Sequence, residues 1–278
     1  MLAGWALLSQ AARDAAYNNN LAVANSAVLV ERRNAASAAF RAAHPAGLDL
    51  PYGPAPRQRF DLFPASAPAA PCLVFIHGGY WQRNTREDFA CFAEGVLAHG
   101  WSMALPGYTL APEATLTEIV SEIRRALDWL GADGTNHGVG AGPIVVSGWS
   151  AGGHLTAMAL DHPHVAAGLA ISGIYELVPL RDTYLDEKLR LTDAEIAALS
   201  PLRLPPVPKP LAISYGAAEL PALIEDSRDL HARRTAAHAP GRLLPIAGAD
   251  HFTILEELRR PEGKLVRAAL DLVGEAGA

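Results

Sequence analysis

The stretch Pro143-Ile144-Val145-Val146-Ser147-Gly148-Trp149-Ser150-Ala151-Gly152-Gly153-His154-Leu155-Thr156-Ala157-Met158-Ala159-Leu160 decides how the chain folds. Its opening apolar run suits a strand buried on both faces. From Gly153 onward the pattern suits a helix. Between them stands Gly148-Trp149-Ser150-Ala151-Gly152, a G-x-S-x-G sequence. Strand, G-x-S-x-G, helix is the context of a nucleophile elbow, a tight turn that lifts the serine hydroxyl clear of the backbone. Glycines flank the serine because a Cβ there would collide with the neighbouring strand or helix. The Ala151 N–H, at the start of the helix, would face the site, where the partial positive charge favours an oxyanion.

Outward from this stretch, apolar runs alternate with amphipathic ones. Strands are expected at Cys72–Ile76, 101–106, 166–173, Leu211–Gly216 and 242–246, and an edge strand at 57–63, where charged and apolar residues alternate. Helices are expected at 86–99 with Thr85 as N-cap, at 114–130, at 222–238 and at 254–274. The alternation predicts an α/β fold, a mostly parallel central sheet flanked by helices, as one domain over 1–278. Residues 1–50 read as a helical arm packed on the main body rather than as part of the site. The irregular, proline-rich 174–208 reads as a small cap insertion or a surface excursion.

A serine hydroxyl is a weak nucleophile at neutral pH and needs a histidine to take its proton, and an acid to orient that histidine. In this fold the order along the chain is serine, acid, histidine. His251 follows the last strand, in the turn after Gly248-Ala249-Asp250, and is the candidate base. Glu219 lies three residues beyond the strand ending at Gly216 and is the candidate acid. Asp226 and Asp229 fall in the next helix and are expected to face solvent; Asp250 adjoins the base too closely in sequence. His77-Gly78-Gly79-Tyr80-Trp81 stands at the carboxyl end of a buried strand, where such folds bind ligands. Gly78, Gly79 and Ala151 are the candidate oxyanion donors, with the Tyr80 N–H as a substitute. Tyr80, Trp81 and Trp149 flank the site in sequence and are candidate substrate-binding residues or core aromatics.

Composition narrows the function classes. The net charge of −6 with no basic block argues against nucleic acid as a partner and leaves a small-molecule substrate. No run approaches the ~20 apolar residues of a membrane span. The apolar Met1–Leu8 lacks a preceding positive residue and a cleavage site, so no signal peptide is expected. Two cysteines, Cys72 and Cys91, do not suggest an oxidised scaffold, and a reducing cytoplasm is the expected location. His162 and His164 share H-x-H spacing but lack further ligand types, and His137 reads as surface; no metal site and no cofactor are expected. A homodimer is the candidate assembly.

With these residues in place, the chain resembles the α/β-hydrolase superfamily over nearly its whole length. More narrowly it is similar to the kynurenine formamidase (arylformamidase) family. His77-Gly78-Gly79-Tyr80-Trp81, the elbow continuing as Ser150-Ala151-Gly152-Gly153-His154-Leu155, Tyr17-Asn18-Asn19, Tyr52-Gly53-Pro54, Ile171-Ser172-Gly173-Ile174-Tyr175-Glu176-Leu177 and Ser200-Pro201 carry that likeness. Two positions depart from the family pattern: Trp149 stands where a histidine is common, and Glu219 where the acid is usually aspartate. The resemblance implies hydrolysis of an aryl formamide, such as N-formylkynurenine, through a formyl-serine. The same triad would also serve a carboxylesterase acting on short acyl esters.

Overall fold

The computed structural model describes residues 4–276; Met1–Ala3, the start of the apolar N-terminal stretch, and residues 277–278 lie outside the described residues. Eight strands form one sheet: β1 Leu50–Pro51, β2 Arg59–Phe63, β3 Cys72–Ile76, β4 Ser102–Pro106, β5 Ile144–Trp149, β6 Val165–Ile171, β7 Leu211–Gly216 and β8 Gly241–Ile246. Their order is β1-β2-β4-β3-β5-β6-β7-β8. β1 and β2 pair antiparallel, as do β2 and β4; every other pairing is parallel. This is the mostly parallel, helix-flanked sheet that the alternating pattern predicts.

β3 shows why its run is continuously apolar. Val74 and Ile76 pack into the core on one face of the sheet, with Leu155 of the helix Ala151–Ala159 and Ile119 and Ile123 of the helix Leu116–Asp133. Leu73 and Phe75 pack into the other, with Phe89 and with Leu265 and Ala269 of the helix Lys264–Ala276. Successive side chains of a strand point to opposite faces, so burial on both leaves no place for a polar residue. The helix Leu116–Asp133 starts at Thr115, whose hydroxyl accepts from the Glu118 N–H while the Glu118 carboxylate accepts from the Thr115 N–H. This reciprocal cap satisfies two otherwise orphaned donors.

Three expectations are corrected. The alternating segment at 57–63 is not an edge strand, because β1 pairs outside it, and β2 is buried from Phe60 to Phe63. Its buried charged member, Asp61, is paired from two elements: Arg41 Nε of the arm donates to it at 2.8 Å, and Arg86 Nε, beyond β3, at 3.1 Å. The expected helix over 86–99 is a 3-10 turn, Arg86–Phe92, passing into the short helix Ala93–Leu97. The expected helix over 254–274 is broken, with Thr253–Leu255 and Glu256–Arg259 ahead of a gap at Pro261 and a second helix at Lys264–Ala276. Proline lacks the N–H that would continue the first segment.

Cys72 and Cys91 are free and buried. His162 Nε2 lies 3.1 Å from Asp128 Oδ1, a single polar pair. No helix among the described residues is long and apolar enough to cross a membrane.

Residues 174–208 form a chain of short turns and helices, Val178–Asp182, Asp186–Leu189, Asp193–Leu199 and Pro201–Arg203. The N-terminal segment packs against them. Trp5 Nε1 donates to Asp182 Oδ2 at 3.0 Å, and the Tyr184 N–H donates to Asp14 Oδ1 at 2.9 Å.

Candidate active site

The carboxyl ends of β3, β5, β6, β7 and β8 converge on one cleft. β5 ends at Trp149, and Ser150 follows at φ +60° and ψ −120°, a conformation that L-residues rarely hold. Its N–H is anchored to the Ile171 carbonyl at 2.8 Å, and its own carbonyl accepts from the His154 N–H at 3.1 Å, starting the helix. The turn is crowded. A Cβ on Gly152 would come within 2.0 Å of the Ile76 carbonyl oxygen, so only glycine fits there.

Glu219, in the turn after β7, uses both carboxylate oxygens. Oε2 lies 2.8 Å from His251 Nδ1. Oε1 accepts from the Gly216 N–H at 2.6 Å and from the Ser172 hydroxyl at 2.5 Å. A carboxylate accepts a proton-bearing nitrogen, so Nδ1 carries the hydrogen and Nε2 is left for the cleft that Ser150 also lines. The His251 backbone is held as well: Trp149 Nε1 donates to its carbonyl at 2.7 Å, and the two rings lie 4.7 Å apart. Asp250 does not act on the ring; its Oδ1 accepts from the Phe252 and Thr253 N–H groups, both at 2.8 Å, and shapes the turn.

Asp226 does not face solvent as the sequence suggests. It is buried, and its Oδ2 accepts from the N–H groups of Tyr175 at 2.6 Å and Glu176 at 3.1 Å, pinning the root of the 174–208 segment. Burial raises its pKa to about 7, against the pull of those two N–H bonds. Asp229 is exposed. Neither meets His251.

The loop after β3 turns its backbone through Gly79 at φ +120°, Tyr80 at +50° and Trp81 at +58°. Gly78 lies against the elbow: a Cβ on it would sit 2.5 Å from the Trp149 carbonyl oxygen and 2.9 Å from Ser150 Cβ. Among the described residues, no hydrogen bond uses the N–H groups of Gly78, Gly79, Tyr80 or Ala151. His77 is buried and stacked on Tyr108 at 4.2 Å, and burial lowers its pKa to about 3, which keeps it neutral.

The cleft has a volume of about 240 Å³. Trp149 and Tyr80 line it, but Trp81 does not. Trp81 is fully buried, its ring edge-on to His154 of the elbow helix at 5.0 Å, because the left-handed backbone at 80 and 81 turns it beneath the loop. The arm also contributes, contrary to its reading as packing alone. Asn18, Asn19, Asn20 and Arg33 form part of the wall, beside Arg83, Tyr184 and Phe252. The Tyr80 hydroxyl donates to the Tyr17 carbonyl at 2.6 Å and accepts from Asn19 Nδ2 at 3.2 Å. That fixes the amide and leaves Asn19 Oδ1 buried with no hydrogen-bond partner among the described residues. Sequence reasoning passed over Ser172, Arg33, Arg83 and Phe252. Only Ser172 had a signal, its place at the end of the strand beside the one that carries the acid.

Comparison with known proteins agrees with this architecture. The BD-FAE family model matches residues 61–164. The kynurenine formamidase of Danio rerio is 26% identical over 246 residues, covering 82% of each chain, and that of Salmo salar aligns to the same extent. The crystal structure of a Silicibacter protein described as a thioesterase superposes with a TM-score of 0.82 at 31% identity, over 92% of this chain and 97% of the other. Esterase B of Lactobacillus rhamnosis shares the fold at 17% identity, with a TM-score of 0.69 over 92% of this chain and 96% of the other. The chain is a hydrolase with the α/β-hydrolase fold, and over most of its length it is similar to the kynurenine formamidases.

Proposed function

We propose that the chain is a serine hydrolase that cleaves aryl formamides of the N-formylkynurenine type. One observation carries the reading: the His251–Glu219 pair opens on the same cleft as Ser150, walled by the rings of Trp149, Tyr184 and Phe252. Ser150 Oγ attacks the formyl carbon as His251 Nε2 takes its proton. Glu219 holds the imidazole in the required tautomer and stabilises its cation. The N–H groups of Gly78, Gly79 and Ala151, with Tyr80 beside them, receive the negative charge that develops on the formyl oxygen. His251 then protonates the departing arylamine and activates the water that releases formate from the formyl-serine. No cofactor enters this sequence. The named kynurenine formamidases that align over most of the chain support the choice of amide, and the aromatic walls support an aryl leaving group.

The second reading, a carboxylesterase for short acyl esters, is favoured by the esterase names among the relatives. Side-by-side kcat/KM on N-formylkynurenine and p-nitrophenyl acetate separates the two. A strong preference for the formamide is expected; turnover of the ester alone would overturn the formamidase reading. Labelling by a serine-directed phosphonate, lost in Ser150→Ala, tests the nucleophile in either case.

A further inference from the structure

The cleft is cationic in an acidic protein. The chain carries a net charge of −6, yet no aspartate or glutamate lines the cleft and two arginines do, Arg33 and Arg83. Several arginines elsewhere pair with carboxylates, Arg41 and Arg86 with Asp61, Arg203 with Glu176 and Arg259 with Glu94, while Arg57 and Arg234 donate to backbone carbonyls. Among the described residues, neither Arg33 nor Arg83 forms such a pair.

Arg33 is also pre-positioned. It projects from the arm helix Ser26–Ala43, and its guanidinium carbon sits 4.1 Å from the centre of the Phe89 ring. Nε and Nη2 both donate to Asn34 Oδ1, at 3.1 and 2.8 Å. These contacts fix the plane of the group, while Nη1 has no hydrogen-bond partner among the described residues. Burial lowers the Arg33 pKa, with Asp88 acting against that at a distance, so the guanidinium is partly stripped of water without a paired anion. A cation in that state gains most from a ligand that brings the missing charge. Arg83 lines the same cleft from the loop after Gly79, beside Tyr184.

We propose that Arg33 and Arg83 are specificity-determining residues that bind a carboxylate on the substrate while Ser150 attacks its acyl group. Guanidinium suits this task because its planar donors match a carboxylate. The cleft of about 240 Å³ holds Ser150, Arg33 and Arg83 together, so one small ligand reaches all three. The inference takes its leaving group from the formamidase reading, but the anion preference applies equally to an ester.

The test uses two pairs of compounds. One is N-formylkynurenine and its α-methyl ester. The other is 4-(2-acetoxyphenyl)-4-oxobutanoate and its methyl ester, which place an acetate ester where the first pair has the formamide. The wild-type chain is expected to prefer the free carboxylate by about 10- to 100-fold in kcat/KM, the size of one to two charge-assisted hydrogen bonds. Arg33→Gln and Arg83→Gln are each expected to collapse that ratio toward one. Equal kcat/KM for acid and methyl ester in the wild type overturns the proposal, as does a ratio that survives both substitutions. Carboxylate preference in the acetoxy pair with no turnover of the formamides overturns the formamidase reading and upholds this one. Failure to turn over any of the four counts against both.

Discussion

Asp226→Asn isolates the energetic effect of one buried carboxyl. The side chain is 8% exposed and accepts from the Tyr175 and Glu176 N–H groups. Burial raises its pKa from 3.8 to about 7; the two N–H bonds oppose the rise and the Glu176 charge adds to it. Between about pH 4 and 7 the folded chain therefore keeps a proton that the unfolded chain has released. Stability then falls as pH rises through that window. The gap from 3.8 to about 7 corresponds to roughly 4 kcal/mol by pH 8, at about 1.4 kcal/mol per pH unit. His77 and His154 act in the opposite sense. Burial lowers them to about 3 and about 4, so they stay neutral in the fold and stability is lost as pH falls below 6.5. The difference between Asp226→Asn and the wild type removes the histidine contribution, because both proteins share it. Asparagine keeps an acceptor for the two N–H groups and cannot ionise. Urea unfolding at pH 4.5, 6.5 and 8 should show a pH-dependent difference of about 1 kcal/mol at the lowest pH, growing to about 4 kcal/mol in favour of the variant at the highest. A difference that stays flat with pH would refute the reasoning. The same variant should keep kcat/KM within about threefold, since Asp226 holds the Tyr175 and Glu176 N–H groups and not His251; a severe loss would show that the site depends on its charge.

Ser150→Ala should lower kcat by about 10⁶ if the triad acts as a unit, and near-normal turnover in steady-state assays would sink the mechanism. Glu219→Gln should cost about 10⁴ in kcat, because the amide favours the wrong histidine tautomer; a mild effect would remove Glu219 from the acid role. Ser172→Ala removes one of the two hydrogen bonds to Glu219 Oε1 and leaves the Gly216 N–H in place. It should lower kcat about tenfold with KM little changed, and an unaltered kcat would show that the Gly216 bond suffices.

The sheet was legible because burial on both faces leaves a strand no polar option, which makes Cys72–Ile76 and the elbow strand visible as apolar runs. Ser150, Glu219 and His251 stand out as candidates in the sequence because each follows a strand end and the order along the chain is restrictive, and the fold brings His251 to Glu219 and to the cleft of Ser150. Asp226 was not legible: a charged residue in a helix reads as solvent-facing until the fold brings two backbone N–H groups to it. Trp81 could not be told apart from Tyr80 for a related reason. Adjacent aromatics in a loop look alike in sequence, and only the positive φ at Tyr80 and Trp81 sends one to the cleft and the other beneath it. The two-residue β1 is too short to leave a pattern, so the antiparallel edge was assigned to the strand it covers.

The arm that walls the cleft has a consequence for how the molecule is made. Trp5 is tied to Asp182 and Asp14 to Tyr184, across 177 and 170 residues of chain. A ribosome delivers the arm first and its docking site far later. The arm therefore waits, with Trp5 unpaired, until the 174–208 segment has emerged. His251 follows later still, so the nascent chain gains its cleft wall before it gains its base. Contacts this distant in sequence are slow to form, and the arm, made well before its docking site, waits to find its place.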